Sequence, residues 1–379
     1  RIHRLEPELR DTLAVASVEG EEFTAQVVAR VHQMEEEQIL CRLSRSLEAR
    51  HQLVTEQGQV ASAAGRLARY RFGHALVQNY LYQHLGLGER QLLHGRVAAA
   101  LEELHAGDTD AFAVQLAHHW LAAGDEGRAF KYLVQAAENA GRMYAHAQVV
   151  DHYSHALELA ARVPQDTRSL AAVYRGRGRA HETLGQFEAA RAGHESALQL
   201  GRVGGERQVQ WQALVDLGRL WASRDYARTR GFFEQALDLA RQSGDPARVA
   251  TSLNWLGTWL RRRLTVRVIG DVVLTLRHDA FEASVGHDMS FFDEFQSGRI
   301  ISRITSDTEE FSQVVLLVTD LIGQMLLVLI LTTVLFFVSW QLTLTLLALT
   351  PFVFLLALGF RRAARYVTRK GFRAIAEVN

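Results

Sequence analysis

Residues 321–360 contain no Asp, Glu, Lys or Arg, in a chain where charged residues make up 22% of the whole. A hydrocarbon layer about 30 Å thick is crossed by roughly 20 helical residues. A run of 40 such residues is too long for one crossing and long enough for two. Ser339, Trp340 and Gln341 stand near its middle, where an indole flanked by two polar groups suits a headgroup boundary. The stretch from Gln313 to Phe360 therefore reads as a membrane hairpin that turns at these three residues. Arginines flank it on both sides: Arg299 and Arg303 before, and Arg361, Arg362, Arg365, Arg369 and Arg373 with Lys370 after. The positive-inside bias places both flanks in the cytoplasm and the turn outside. The length of the run disfavours a helix pair buried inside a soluble protein.

The rest of the chain has a different character. At 379 residues there is room for two or three domains. Residues 1 to about 260 are polar, rich in Arg and Ala, and lack any long apolar run. The formal net charge is zero, which argues against a strongly basic nucleic-acid binder. Cys41 is the single cysteine, so an internal disulfide is excluded, and it reads as a small apolar residue buried on a helix. Only two lysines occur, Lys131 before Tyr132 and Lys370 before Gly371. A phosphate-binding loop needs a lysine followed by Ser or Thr after its glycines, because the ammonium group reaches the outer phosphates. Neither lysine fits, and no Walker-type nucleotide site is expected in these residues. Both ends of the chain, Arg1-Ile2-His3-Arg4 and Ala376-Glu377-Val378-Asn379, look cut, and the sequence is read as a fragment.

Within residues 1–68, apolar positions recur at helical spacing at Leu9 and Leu13, at Phe23, Val27 and Val31, and at Ile39, Leu43 and Leu47. Leu53-Val54-Thr55 then reads as a short strand. Three helices and a small β element outline a winged helix, which binds DNA or serves as a packing module. Without a basic stripe the packing role is expected. Residues 69–260 read as helical hairpins carrying small residues at fixed places. Gly178, Gly218 and Gly257 follow one another at almost equal spacing, and Gly257 opens a hairpin that never finishes. This pattern resembles tetratricopeptide repeats of the lengthened kind. Tyr70–Leu76, with Ala117-His118-His119-Trp120 and Ala123-Gly124-Asp125, is similar to the region after the ATPase core in large bacterial signalling ATPases. That resemblance spans roughly residues 1–258 and implies a scaffold for a protein or peptide partner. Sixteen histidines raise the question of a metal, and His146, His152 and His155 form the best cluster. No partner stands at ligand spacing, so these read as helix-surface residues and no metal site is expected. His118 and His119 are adjacent and diverge on a helix.

Gly244-Asp245-Pro246 is a clean helix start. The pattern then runs through Trp255 and Trp259 into Arg261-Arg262-Arg263 with no turn signal, which puts a join between Gly257 and Leu264. Beyond it the residues Leu276–Glu282, Met289-Ser290-Phe291-Phe292-Asp293, Ser297–Arg303, Thr305–Thr308, Ser339–Leu342 and Thr350-Pro351 resemble the membrane domain of an ABC exporter (type I). The resemblance covers residues 261–379 and implies a partial transmembrane domain. The first, fifth and sixth spans and the nucleotide-binding domain would be missing. It further implies a coupling loop at Met289, Phe291, Phe292, Asp293, Phe295 and Gly298 that docks on an ATPase subunit. The residues agree, since Ser290 can cap a short helix that Gly298 can end, and three phenylalanines need a partner surface. Arg303 and Asp307 are spaced to pair. Asp320, inside the apolar stretch, is read as lying near the cytoplasmic end and outside any transport path.

The fold class expected is all-α: a helical-hairpin solenoid followed by long membrane helices, with a small winged-helix element in front. Three functions are weighed. The first is a partial ABC-transporter membrane subunit fused to a repeat scaffold and inactive alone. The second is a membrane-anchored binding scaffold. The third is a non-functional fusion of two gene fragments, favoured by the unfinished repeat and the lack of a linker. No catalytic residues are identified, and no cofactor is assigned to the chain. ATP and Mg are implied only for the missing domain. Lipid, an ABC-type ATPase domain, a second transmembrane half and a repeat partner are the expected partners. The location implied is the bacterial cytoplasmic membrane, with the N-terminal region in the cytoplasm.

Overall fold

The computed structural model describes residues 5–62, 65–107, 109–287, 297–349 and 351. The chain divides into two compact units, Arg1–Trp259 and Leu260–Asn379. Helices dominate both.

The first unit opens with a mixed module. Helix α1 (Pro7–Glu19) starts on a proline, whose fixed φ suits a first helical turn. Strand β1 (Glu22–Thr24), helices α2 (Ala25–His32) and α3 (Glu36–Cys41), and a π-helical extension of α3 (Arg42–Arg50) follow. Strands β2 (Val54–Ser62) and β3 (Gly65–Phe72) complete an antiparallel sheet in the order β1-β3-β2. Phe23 pairs across the ladder with Tyr70, their rings 6.0 Å apart, and meets Phe72 at 5.2 Å. These rings close over Leu13, Val28, Ile39, Leu43 and Leu47, all buried. Gln26 is buried and spends its side-chain oxygen on the Ala68 amide at 3.0 Å, which ties α2 to the sheet. This is the winged-helix outline, with a larger β element than the expected strand at Leu53–Thr55. Residues 69–72, expected in the helical repeats, belong to the sheet. The alternation of Leu67, Arg69, Arg71 with Ala68, Tyr70, Phe72 is a two-residue period, and the aromatic pair holds it. Cys41 is half-buried rather than buried.

Helices α4 (Ala75–His84) and α5 (Leu87–Leu104) lead into stacked pairs. These are α6 (Ala113–Ala122), α7 (Glu126–Arg142), α8 (His146–Ala160), α9 (Thr167–Thr183), α10 (Phe187–Val203), α11 (Arg207–Trp221) and α12 (Tyr226–Ser243). Glu102 fastens the first of them, accepting from Trp120 Nε1 at 3.0 Å and from the Tyr132 hydroxyl at 2.7 Å. Side-chain caps start α7, α9 and α12, where Asp125, Asp166 and Asp225 accept from first-turn amides. Close approach depends on small residues. A Cβ on Gly178 of α9 would lie 2.8 Å from the His194 ring of α10, and one on Gly218 of α11 would lie 2.4 Å from the Phe233 ring of α12. Each glycine is thus a recess filled by a ring from the next helix.

Helix α13 (Pro246–Val285) starts as the next repeat would. Asp245 caps it through the Ala247 amide at 2.9 Å, and Trp255 stacks on Phe233 at 6.1 Å. Trp259 donates to the Tyr226 carbonyl at 3.1 Å. Gly257 takes the place of Gly218 in the series, yet a Cβ there would meet nothing within 4 Å among the described residues. The helix runs on through residue 260 instead of folding back, and among the described residues no following helix fills that recess.

The second unit holds the remainder of α13, then α14 (Ser297–Val338) and the short apolar helix α15 (Trp340–Leu349). Its apolar side chains are exposed along most of their length.

The two glycines should respond oppositely to the same change. Gly218→Ala forces a methyl group against Phe233 and should cost about 1–3 kcal/mol, as overpacking does. Gly257→Ala enters open space within a helix and should stabilise by about 0.5–1 kcal/mol. Urea unfolding of the two variants checks this; equal destabilisation by both would mean that the Gly257 recess is occupied.

Candidate functional site

Residues Gln313–Val338 of α14 form an apolar helix of 26 residues, long enough to cross a bilayer, with none of its most apolar stretch buried. Leu317, Phe337 and Val338 are 70%, 84% and 76% exposed. At 1.5 Å per residue the segment is about 39 Å long, more than one hydrocarbon thickness. The helix ends at Val338. Ser339 is the single non-helical residue between Val338 and Trp340, and Trp340 and Gln341 open α15. The interruption is tight because Ser339 keeps helical bonds on both sides: its amide donates to the Leu335 carbonyl at 2.8 Å, and its carbonyl accepts from the Thr343 amide at 3.1 Å. Thr343 adds its hydroxyl to the same carbonyl at 3.0 Å. Thr333 and Thr345 likewise return their hydroxyls to the carbonyls four residues back. These threonines satisfy their hydroxyls within their own helices. Between α14 and α15 lies an apolar cleft of about 570 Å³, walled by Val328, Leu331, Leu335, Thr343 and Leu347 among others.

Asp320 is the one ionisable residue within Gln313–Val338. It does not stand alone, since Arg261 of α13 places Nη1 3.4 Å from its Oδ1. Sequence reasoning missed this partner because the two are 59 residues apart in the chain. Of the expected coupling residues, Met289, Phe291, Phe292, Asp293 and Phe295 lie outside the described residues, as do Ser290 and the basic flank beyond residue 360. So does the Asp307 side chain, the expected partner of Arg303. Gly298 is described, and it lies in the first turn of the long helix α14.

Two polar seams run through the repeats. In the first, Arg175 of α9 donates from Nε to Asp216 of α11 at 2.6 Å and from Nη1 to Gln212 at 2.6 Å. Both charged groups are largely buried, so the pair is held by its hydrogen bonds rather than by Coulomb attraction alone. Asp216 is also 4.0 Å from Nδ1 of His194, a fully buried ring with no hydrogen-bond partner on either nitrogen among the described residues. A small hollow of about 70 Å³ beside this seam is lined by Arg168, Arg175, Gln208 and Gln212. In the second seam, the Nδ1 atoms of His94 and His119 are 2.8 Å apart, so one must donate to the other. His94 Nε2 shares a hydrogen bond of 3.0 Å with the Tyr82 hydroxyl. His118 projects outward beside them. His146, His152 and His155 are half-buried or exposed, and His94, His119 and His194 are buried. Each buried ring sits where its neighbours leave an imidazole-sized space, above Gly178 in the case of His194. Among the described residues no group of three His, Cys, Asp or Glu side chains is placed to hold a metal ion.

Burial lowers the pKa values of these rings. His119 falls to about 3, chiefly by desolvation and then by its histidine neighbours. His94 falls to about 4, by desolvation and then by His118 and Arg90. His194 also falls to about 4, since desolvation outweighs the attraction of Asp216.

Comparison with known proteins divides along the chain. Residues 248–379 match the family model of the ABC transporter transmembrane region. An ATP-dependent lipid A-core flippase of Wigglesworthia glossinidia brevipalpis is 32% identical over 114 residues, 30% of this chain and 19% of that protein. The protein of the same description in Legionella pneumophila (strain Lens) is 29% identical over 150 residues, 39% of this chain and 26% of that protein. The chain thus spans about a fifth to a quarter of the length of these relatives. A solved structure of a Rap protein complexed with competence and sporulation factor is 15% identical and covers 63% of this chain and 70% of that one, with a TM-score of 0.35. A signal transduction ATPase with a tetratricopeptide repeat sensor from Pyrococcus horikoshii is 11% identical and covers 85% of this chain and 65% of that one, with a TM-score of 0.28.

Three rings buried neutral give the first unit a definite pH response. An unfolded histidine takes up its proton near pH 6.5, while the folded ones resist to about 3 or 4. The unfolded state therefore binds more protons below pH 6.5, and stability falls as pH drops from there toward 4. Glu19, held up at about 7 by burial, works in the opposite sense and favours the folded state less as pH rises through 7. The double variant His94→Asn/His119→Asn should therefore show a flatter urea midpoint between pH 6.5 and 4.5 than the parent. An unchanged slope would mean that these rings are not buried neutral.

Proposed function

We propose that residues 261–379 act as part of the membrane subunit of an ATP-driven ABC exporter, joined to a repeat scaffold and inactive without further parts. The observation that carries this is the coincidence of the family match over 248–379 with an uncovered apolar helix at Gln313–Val338. On this reading residues 1–68 form a winged-helix-like region, 69–260 the repeats and 261–379 the partial transmembrane domain, with the sheet residues 69–72 moved to the first. Both flanks of the hairpin lie in the cytoplasm, with the repeats, and Trp340 lies on the far side of a bacterial cytoplasmic membrane. Met289, Phe291, Phe292, Asp293 and Phe295 contact a separate ATPase domain, which alone binds ATP and Mg. A second transmembrane half completes the transporter, and a protein or peptide occupies the repeats. The flippase relatives make a lipid the first substrate class to try.

A second reading is favoured by one observation. The Gly257 recess is empty among the described residues, and α13 passes from repeat to exporter-like sequence with no loop. That is what a join between two gene fragments would leave, and such a chain would have no activity of its own.

Single cysteines in a Cys41→Ala background test the topology. With Ser339→Cys, a membrane-impermeant maleimide should label intact cells; with Ser297→Cys it should label only after permeabilisation. The reverse pattern would overturn the hairpin orientation. Co-purification with an ABC ATPase subunit should fall at least severalfold in Phe291→Ala/Phe292→Ala, and an unchanged yield would remove the coupling role. ATP-dependent transport by this chain alone should be absent, and robust transport would refute the need for further parts.

A further inference from the structure

The apolar cleft between α14 and α15 has a definite depth in a membrane. Its wall on α14 runs from Val328 to Val338, about 15 Å of helix, which is half of a hydrocarbon layer about 30 Å thick. Trp340 follows two residues later, and an indole settles at the headgroup level. The cleft therefore spans the leaflet on the side of the turn, from below its headgroups to the bilayer midplane.

No charged side chain lines the cleft among the described residues. Its polar lining is two threonines, and Thr343 gives its hydroxyl to the Ser339 carbonyl at 3.0 Å. An apolar hollow of this kind does not hold water. Left empty, it forfeits the dispersion contacts that its lining side chains would otherwise make. The backbone bonds on either side of Ser339 fix the angle between the helices, so closing the cleft would break the turn. Spread over about 15 Å, its volume of about 570 Å³ gives a section of roughly 40 Å². A helix with its side chains is about 10 Å across, a section of roughly 80 Å². The space suits an occupant thinner than a helix, apolar throughout and as long as one leaflet is deep. A lipid acyl chain has each of these properties.

We propose that this cleft is a docking site for one acyl chain of a phospholipid in the leaflet that holds Trp340. The headgroup lies beside Trp340 and Gln341, both exposed at the turn. This is a resident lipid of the surrounding bilayer, held by its chain, and not a substrate in transit. The inference rests on reading Gln313–Val338 as a membrane span.

The test uses the full chain in phosphatidylcholine vesicles, part of whose lipid carries a photoreactive diazirine at mid-chain. After illumination, lipid adducts are mapped residue by residue by mass spectrometry. They should be severalfold more frequent on Leu331, Leu335 and Leu347, in the cleft, than on Leu326 and Ile330, exposed on α14 outside it. Leu331→Trp/Leu335→Trp should fill the cleft and remove the adducts on Leu347 while leaving those on Leu326 and Ile330. The control Leu326→Trp/Ile330→Trp should keep the Leu347 adducts of the parent. Equal labelling of the two faces would mean that lipid only surrounds the helices, and would overturn the site. So would adducts on Leu326 and Ile330 alone, the result expected if a protein segment or a second copy occupies the cleft. Loss of the Leu347 adducts in the control, or their retention in Leu331→Trp/Leu335→Trp, would do the same. Circular dichroism and gel filtration in detergent establish that each variant folds, and the ratio between the two faces in the parent carries the test if the cleft variant does not. A chain released from the vesicles by alkaline carbonate would instead sink the span reading itself, which separates the two failures.

Discussion

Water is a poor solvent for a helix such as Gln313–Val338, and no part of the described second unit shields it. Each exposed Leu, Ile, Val or Phe forgoes about 1.5–3 kcal/mol relative to burial, and the exposed set here extends over most of α14 and α15. A hydrocarbon layer removes that cost without any tertiary partner, since the helix already satisfies its own backbone. The arrangement of the second unit follows. The threonines bond back to their own helix, the turn shrinks to a single residue with both helical hydrogen bonds kept, and the one charge in the span is met by an arginine.

The first unit obeys the opposite rule. It has no apolar run long enough to span a bilayer, and its stability comes from pairwise burial between neighbouring helices. The operative device is a glycine recess filled by a ring, Gly178 by His194 and Gly218 by Phe233. Because each helix buries the face of the one before it, a repeat array must end on a helix whose outer face tolerates solvent. α13 begins as an inner helix, with Trp255 and Trp259 packed on α12, and then continues without supplying the partner for Gly257. This unfinished pairing is the observation that supports the join proposed near residue 260.

Much of the fold was legible from residue spacing, and the reasons differ from element to element. The membrane segment depends only on length and the absence of charge, so the sequence carries it whole. The repeats were legible because Gly178, Gly218 and Gly257 recur, although recurrence cannot tell a filled recess from an empty one. The sheet was underestimated: β2 is long and polar, with Glu56, Gln57 and Gln59 and little apolar alternation to announce it. The buried histidines were not singled out, because a helix-surface imidazole and a buried one look alike until the facing helix is known. Of the candidate site, the turn at Ser339–Gln341 was readable from an indole in an apolar run, while the partner of Asp320 was not.

Sequence by itself determined that the last third of the chain is apolar over a bilayer-scale length and that the first two thirds are polar paired helices. Both follow from local composition and period, which act without reference to distant residues. Tertiary structure alone decided that Arg261 meets Asp320, that His94 hydrogen-bonds to His119, and that the Gly257 recess stays open among the described residues. Those outcomes depend on which side chains from remote parts of the chain are brought within a few ångströms, and spacing along one strand of sequence holds no record of that distance.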